Sequence, residues 1–510
     1  MKRLTLSLLI IVIIALSAIH LTAAPLSEKY YYNKVHGAWL GKCIGGALGM
    51  PMEGWPYYQI QKQYGDNIPY LNYFAENMKK GWSGAVKTVT IPADSDWRHV
   101  TASLTIPDFD QGCYAIPIIG MTQEAGGAKR KLLIRNLRIL RPVNDSQFNS
   151  WYWMPMEGCR WIPGTSDVEF DYDGSRAWTR MKHEAALRLN LKPGDKMIVA
   201  FDAKRISGDS EIIIAFDYHL KAAQKGFGPD DDTTYEIVGL HTLEIYGPDI
   251  SCKQIGEQWI KLIGPAYGGT LAEEIARTRM AKGIWPPESG NHDAGEAIGG
   301  QMKAEIWGLV CPGRPDLAAE YARRDGVVAH HDNGVYGEQF IAVIIAASFY
   351  EKDVRKLIDV GLKHIPSDCK YASVVKEVIA WQAKYPNWRD TIKEVKDEYP
   401  GICDPVYAEA GIVTLALLYG NGDFDKSITI AAKCGSDTDC NTATVGAIIG
   451  CIKGAKAIPN KWKEPLGDQF RCGAAGLEEW KISELAKRIC ATGNKVMSHH
   501  GDGIKFTEKL

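Results

Sequence analysis

The chain has 510 residues, a formal net charge of -2, 45 % hydrophobic residues and 12 cysteines. Near-neutrality without a long basic run argues against nucleic acid as the natural partner. The length predicts two or three domains with cores large enough not to depend on disulfides.

In chain order, the first predicted element is a signal peptide. Lys2 and Arg3 precede an apolar run from Leu6 to Ile19, and small residues follow at Thr22, Ala23 and Ala24. This pattern is too short and wrongly flanked for an anchor. Residues 1–24 are therefore expected to be removed and the mature chain exported, periplasmic or extracellular, with no membrane span. The 12 cysteines all lie beyond this segment, where an oxidising compartment permits disulfides; their spacing specifies no pairing.

From Ser27 to about Tyr73 the pattern is helical and rich in glycine. Gly41, Gly45, Gly46 and Gly49 suit close helix packing, and the stretch ends in the string MPMEG, which carries Glu53. The same string recurs at Met154–Gly158, without a glycine-rich helix before it, and that copy reads as chance. From Ala85 to Phe216 short runs rich in Val, Ile and aromatics alternate with turn residues, enough for about eight strands of a β-sandwich or jelly roll. Trp151, Tyr152, Trp153, Trp161 and Trp178 in this stretch offer either sugar-stacking faces or core filling. After Asp230 the helical pattern returns and persists. A β unit bracketed by helical sequence is most simply an insertion. The expected organisation is a mainly α, orthogonal helical bundle from 25–82 plus 226–510, interrupted by an all-β jelly-roll or sandwich domain at 83–225.

Two strings in the helical part carry chemistry. GPDDDTTYE places Asp230, Asp231 and Asp232 after a Gly-Pro break, and CGSDTDCN places Asp437 and Asp439 after a Gly-Ser break. Each precedes an apolar helical run, so each aspartate set suits capping. If the two strings meet in space, their five carboxylates repel unless some are protonated or a cation is present. An oxygen-rich donor set suits Mg2+, Mn2+ or Ca2+ rather than Zn2+.

The ordered strings GAWLGKCIGGALGMPMEG, DDDT and CGSDTDCN, with weaker matches in IGGQMKAEIWG at Ile298–Gly308 and AHHDNGVYGEQF at Ala329–Phe340, resemble the ADP-ribosylglycohydrolase family. The resemblance implies an all-α orthogonal bundle whose two divalent ions, Mg2+ or Mn2+, serve cleavage of the C1 glycosidic bond of an ADP-ribosyl group. Carried over, Asp230, Asp231, Asp232, Asp437 and Asp439 are the metal ligands, and Glu53 is the active-site glutamate, with Asp231 and Asp439 sharing the catalytic role. His330, Asp332, Gly300 and Tyr336 come into the substrate-binding set. Two positions depart from the family pattern: Asp230 stands where a Thr or Ser is usual, and Cys440 where a threonine is common. A thiol is poorly matched to Mg2+, so Cys440 is expected beside the centre rather than on it. The segments around KRKLLIRNLRIL and DKMIVAFDAKRI resemble strands of carbohydrate-binding modules.

The expected function is a secreted metal-dependent hydrolase acting on an ADP-ribosyl or related furanosyl N- or O-glycoside, a small-molecule or glycan substrate. The alternatives are a glycosidase of glycans on the same scaffold and a catalytically silent sugar binder.

Overall fold

The computed structural model describes residues 26–65, 87–91, 96–105, 113–122, 129–140, 153–155, 159–162, 167–172, 178–183, 194, 196–208, 211–220, 226–263 and 271–501. The expected signal peptide lies outside the described residues, as do Trp151 and Tyr152. Trp153, Trp161 and Trp178 fall in strands.

The helical part opens with α1 (Glu28–Gly49), capped by Ser27, whose hydroxyl accepts from the Tyr30 amide at 3.1 Å. Most of α1 is buried, from Tyr31 through Gly49, so it is a central rather than a surface helix. A short α2 (Tyr57–Tyr64) follows. After the β region come α3 (Asp231–Tyr246), α4 (Cys252–Leu262), α5 (Leu271–Ala281), α6 (Gly299–Met302), α7 (Glu305–Leu309), α8 (Pro315–Gly326) and α9 (Asp332–Ala347). Then come α10 (Val354–Leu362), α11 (Lys370–Lys384), α12 (Trp388–Glu398), α13 (Tyr407–Gly420), α14 (Phe424–Lys433), α15 (Thr438–Lys453), α16 (Asn460–Leu466) and α17 (Ile482–His499). Among the described residues no helix is long and apolar enough to cross a membrane.

The glycines of α1 set its distance from α15. A Cβ at Gly41 would fall on the Gly446 carbonyl, one at Gly45 on the Thr442 carbonyl and one at Gly49 on the Thr438 carbonyl. At every fourth position the two backbones touch, which only glycine permits. The ladder ends at Thr438, so it fixes the first turn of α15 beside the Glu53 end of α1. Gly46, by contrast, faces the Phe227 ring.

One cluster of buried residues joins Leu26–Ile60 to Phe227–Met497, so the two helical stretches share a core across the intervening strands. The strands have a second core, from Ile91 to Ile214. They form two five-stranded antiparallel sheets, one ordered β1 (Lys87–Thr90), β10 (Glu211–Leu220), β3 (Cys113–Thr122), β8 (Trp178–His183), β5 (Trp153–Pro155) and the other β2 (Arg98–Thr105), β9 (Lys196–Ser207), β4 (Arg130–Leu140), β7 (Val168–Tyr172), β6 (Cys159–Trp161). In β2 (Arg98–Thr105) Val100, Ala102 and Leu104 point inward while His99, Thr101 and Ser103 point out, the period of two that one buried face requires. β3 (Cys113–Thr122) and β10 (Glu211–Leu220) contribute Ile119, Met121, Ile212 and Ile214 to the same cluster from the other sheet. The chain re-enters the helical part at Phe227, whose amide donates to Gln469 at 3.0 Å and whose carbonyl accepts from Arg471 at 2.9 Å. That pin places Asp230 three residues later.

Candidate metal centre

The Gly-Pro and Gly-Ser breaks do what the sequence leads one to expect. Asp230 is extended (φ -144°, ψ 147°) and caps α3, one oxygen accepting from the Asp232 amide at 3.1 Å. Its carbonyl accepts from the Thr234 amide and hydroxyl at 3.0 and 2.5 Å. At the other helix, Gly435 and Ser436 both have φ of 73°, and the turn they make sets Asp437 at the N-cap of α15, with one oxygen accepting from the Cys440 amide at 3.3 Å.

Capping uses only part of these side chains. Asp230 Oδ2, both oxygens of Asp232 and Asp439 Oδ1 are buried without a hydrogen-bond partner. Buried carboxylate oxygens are ordinarily satisfied, and a divalent cation is what this donor set fits. Asp230, Asp232, Asp437 and Asp439 are all under 8 % exposed, whereas Asp231 is half-buried. Donor atoms of Asp230, Asp231 and Asp232 lie within 4.8 Å of one another, as do those of Asp437, Asp439 and Cys440.

The two groups form one electrostatic unit. Burial pushes the Asp439 carboxyl well up, and the charges of Asp437, Asp230 and Asp231 add to this. Asp232 is raised by burial and by Asp230, Asp231 and Asp439. Asp231 is raised by burial and by Asp230 and Asp437, and Asp437 is pushed up to about 7 by burial and by the charge of Glu53. Without a cation such carboxyls hold protons; a cation replaces them.

Glu53 stands at the same helix terminus. Its Oε2 accepts from the Thr438 amide at 2.9 Å, from the Thr438 hydroxyl at 3.4 Å and from the Asp439 amide at 3.4 Å. The first turn of a helix favours an anion there.

Three residues that sequence reasoning passed over support the centre. Lys42 is buried on α1 and donates to Glu236 at 3.0 Å, Glu305 at 2.9 Å and the Met302 carbonyl at 2.7 Å. Its charge also lowers Asp232. The available signal was that Lys42 is the one charge in the glycine-rich stretch Gly37–Gly49. Cys403 has φ of 64°, and its thiol donates to Asp437 Oδ2 at 3.1 Å. Glu409 accepts from the Cys403 amide at 3.2 Å and the Ser436 hydroxyl at 2.6 Å. Nothing in the separate stretches around residues 403 and 437 announces that they meet.

The residues expected at the substrate cluster around the start of α9. His330 is 1 % exposed, its Nε2 paired with Glu273 at 2.8 Å and its Nδ1 with the Gly295 carbonyl at 3.2 Å. Both ring nitrogens are thus committed inside the protein. Gly300 is buried in α6, where a Cβ would meet the Gly334 carbonyl. Tyr336 is half-buried, and exposed Asp332 pairs with His331 at 3.0 Å. Glu296, His331 and Asp332 make a third compact group, in which Glu296 is held by Asn333 at 2.6 Å and Tyr407 at 2.9 Å. The loop Ser289–Gly295 packs on this end, its His292 carbonyl 3.1 Å from His331 Nε2.

The profile of the ADP-ribosylglycohydrolase family matches residues 198–496, from inside β9 (Lys196–Ser207) into α17, leaving α1 and Glu53 outside the match. An uncharacterized protein of Archaeoglobus fulgidus is 27 % identical over 201 residues, which are 38 % of this chain and 60 % of that protein. The match therefore spans less than two thirds of that relative. A solved chain titled an ADP-ribosylglycohydrolase-related protein complex is similar at 18 % identity and a TM-score of 0.39, covering 54 % of this chain and 84 % of its own.

Proposed function

The chain belongs to the ADP-ribosylglycohydrolase family, and on that premise we propose that it is an exported, metal-dependent hydrolase that opens the C1 bond of an ADP-ribosyl or related furanosyl N- or O-glycoside. The observation that carries the reading is the set of unpartnered, buried carboxylate oxygens at the first turns of α3 and α15. Asp230, Asp231, Asp232, Asp437 and Asp439 would hold two divalent ions, Mg2+ or Mn2+ by their oxygen donors. When bound, such ions polarise the sugar diol and lower the pKa of a coordinated water.

The protein's own groups have distinct tasks. Glu53 accepts from the Thr438 and Asp439 amides, which hold its carboxyl where it would exchange a proton with water or leaving group. Asp231 and Asp439, on the first turns of α3 and α15, would orient the attacking water. Asp230 brings a negative charge where the family usually has a hydroxyl, which deepens the site's demand for a cation. Asp332, Tyr336, Gly300 and His330 form the far wall, His330 by holding the Gly295 loop through its carbonyl contact rather than by touching substrate.

We assign 83–225 as an inserted jelly-roll domain, supported by its separate core. One observation favours a glycan reading beside the ADP-ribosyl one. Outside β2 the Arg135 guanidinium lies 4.0 Å over the Trp97 ring, and Asp202 binds His99 at 2.9 Å and Asn136 at 2.7 Å, a flat aromatic beside fixed polar groups.

The test is anomeric-proton NMR of the protein with ADP-ribosyl-arginine, ADP-ribosyl-serine and simple furanosides, with Mg2+ or Mn2+ and with chelator. Chelator-sensitive cleavage of the ADP-ribosyl compounds alone supports the proposal. Cleavage of simple furanosides transfers the protein to the glycan reading, and cleavage of none of them sinks the hydrolase assignment for these substrates.

A further inference from the structure

The two halves of the centre differ in donor chemistry. The α3 half offers only oxygen, from Asp230, Asp231 and Asp232. The α15 half adds sulfur: a donor atom from each of Asp437, Asp439 and Cys440 falls within the same 4.8 Å. Donors to one ion bonded at about 2.0–2.3 Å are at most about 4.5 Å apart, so small side-chain adjustments suffice.

Cys440 is 5 % exposed, on the first turn of α15, and its Sγ lies 3.9 Å from the Met302 Sδ. On one side the thiol thus meets a second soft sulfur, and on the other the carboxylates of Asp437 and Asp439. Independently, Asp439 is 7 % exposed and its Oδ1 has no partner, so the group contains a buried acceptor that no protein donor fills. A second thiol, Cys403, holds the other side of Asp437 through Oδ2, while the Cys440 amide holds Oδ1. Both oxygens of Asp437 are thus oriented by cysteine residues.

Resting on the metal-centre reading above, we propose that the cation at the α15 half is bound by the Cys440 sulfur together with Asp437 and Asp439, and that this position takes a thiophilic ion of the Zn2+ class. The α3 half keeps a hard ion. Thiolate donors select Zn2+ and its congeners, whereas all-oxygen sets suit Mg2+ and Mn2+. Binding forms one S–metal bond and breaks the S–H bond, and the proton leaves to buffer. Cys403 is a positioning residue that orients Asp437 through its hydrogen bond.

The test uses the full chain stripped of metal and titrated with Cd2+ and Co2+, reading the near-ultraviolet thiolate-to-metal charge-transfer band. The band is expected in the wild type, retained in Asp231→Asn and Cys403→Ser, and absent in Cys440→Ser. Zn2+ affinity should fall at least about tenfold in Cys440→Ser, with Mg2+ affinity unchanged. Zn X-ray absorption on the wild-type chain should show one sulfur neighbour, a readout that does not require the variant to fold. Metal binding without a thiolate band or sulfur neighbour overturns the thiol ligation and leaves the metal-centre reading standing, as does a band that survives Cys440→Ser. Failure to bind any of Mg2+, Mn2+, Zn2+ and Cd2+ would instead remove the metal centre itself.

Discussion

The first turns of α3 and α15 are built alike and provisioned differently. Each begins at a glycine break with an aspartate N-cap, and each retains buried carboxylate oxygen that capping leaves unused. At α3 the nearby compensating charge is Lys42, on the neighbouring α1. At α15 there is instead a further anion, Glu53, together with two thiols. Capping and ligation are thus not rival explanations of an aspartate cluster. One oxygen of the capping aspartate satisfies the helix, and the rest of the cluster is left to a cation.

Breaking either end should produce the largest effect. Asp231→Asn or Asp439→Asn should abolish metal-dependent turnover while far-ultraviolet circular dichroism stays helical; undiminished activity in both would reject the centre. Next in size, Glu53→Gln should lower kcat by about 10²–10⁴-fold, the range of a lost general acid or base, with metal affinity retained by calorimetry. A parallel loss of metal would make Glu53 part of the binding set.

The cation that distinguishes the α3 end can be tested by stability. Lys42→Met leaves Glu236 and Glu305 buried without their partner, a change that costs about 3–5 kcal/mol and should lower the denaturant midpoint. Gly446→Val tests the α15 end, since its Cβ would strike the Gly41 carbonyl. Overpacking of this kind costs about 1–3 kcal/mol, read as a lower Tm, and an unchanged Tm would mean that the helices can separate without loss.

The smallest effect is in pH. Burial alone would lower the Lys42 ammonium, but Glu236 and Glu305 hold it well above the usual lysine range. Because the folded value is the higher one, the ion pairs stabilise fully below the unfolded value of about 10.5 and this contribution is lost as pH rises beyond it. Urea midpoints should therefore fall above about pH 10.5, and less steeply in Lys42→Met.

Much of this was legible in the sequence because it depends on local pattern. The helical, strand-rich and helical succession follows from periodicity, and the strings DDDT and CGSDTDCN mark two helix starts with surplus carboxylate. The spacing of Gly41, Gly45 and Gly49 marks a helix face that another backbone can touch. The same strings could not show that His330 turns inward to Glu273 or that Cys403 reaches Asp437 from 34 positions away in the chain.

Which residues could cap, ligate or pack is set locally, since those capacities are properties of side chain and neighbouring backbone. Tertiary structure alone decided which of them share a site. The α1–α15 glycine contacts bring Glu53 onto Asp439, and the pin at Phe227 sets Asp230 where its charge acts on Asp439. Electrostatic interaction falls with distance and grows as water is excluded, so the demand for a cation exists only once these distant segments are buried together. Cys440 follows the same rule: its softness is written in the sequence, and its place among the donors is a matter of packing.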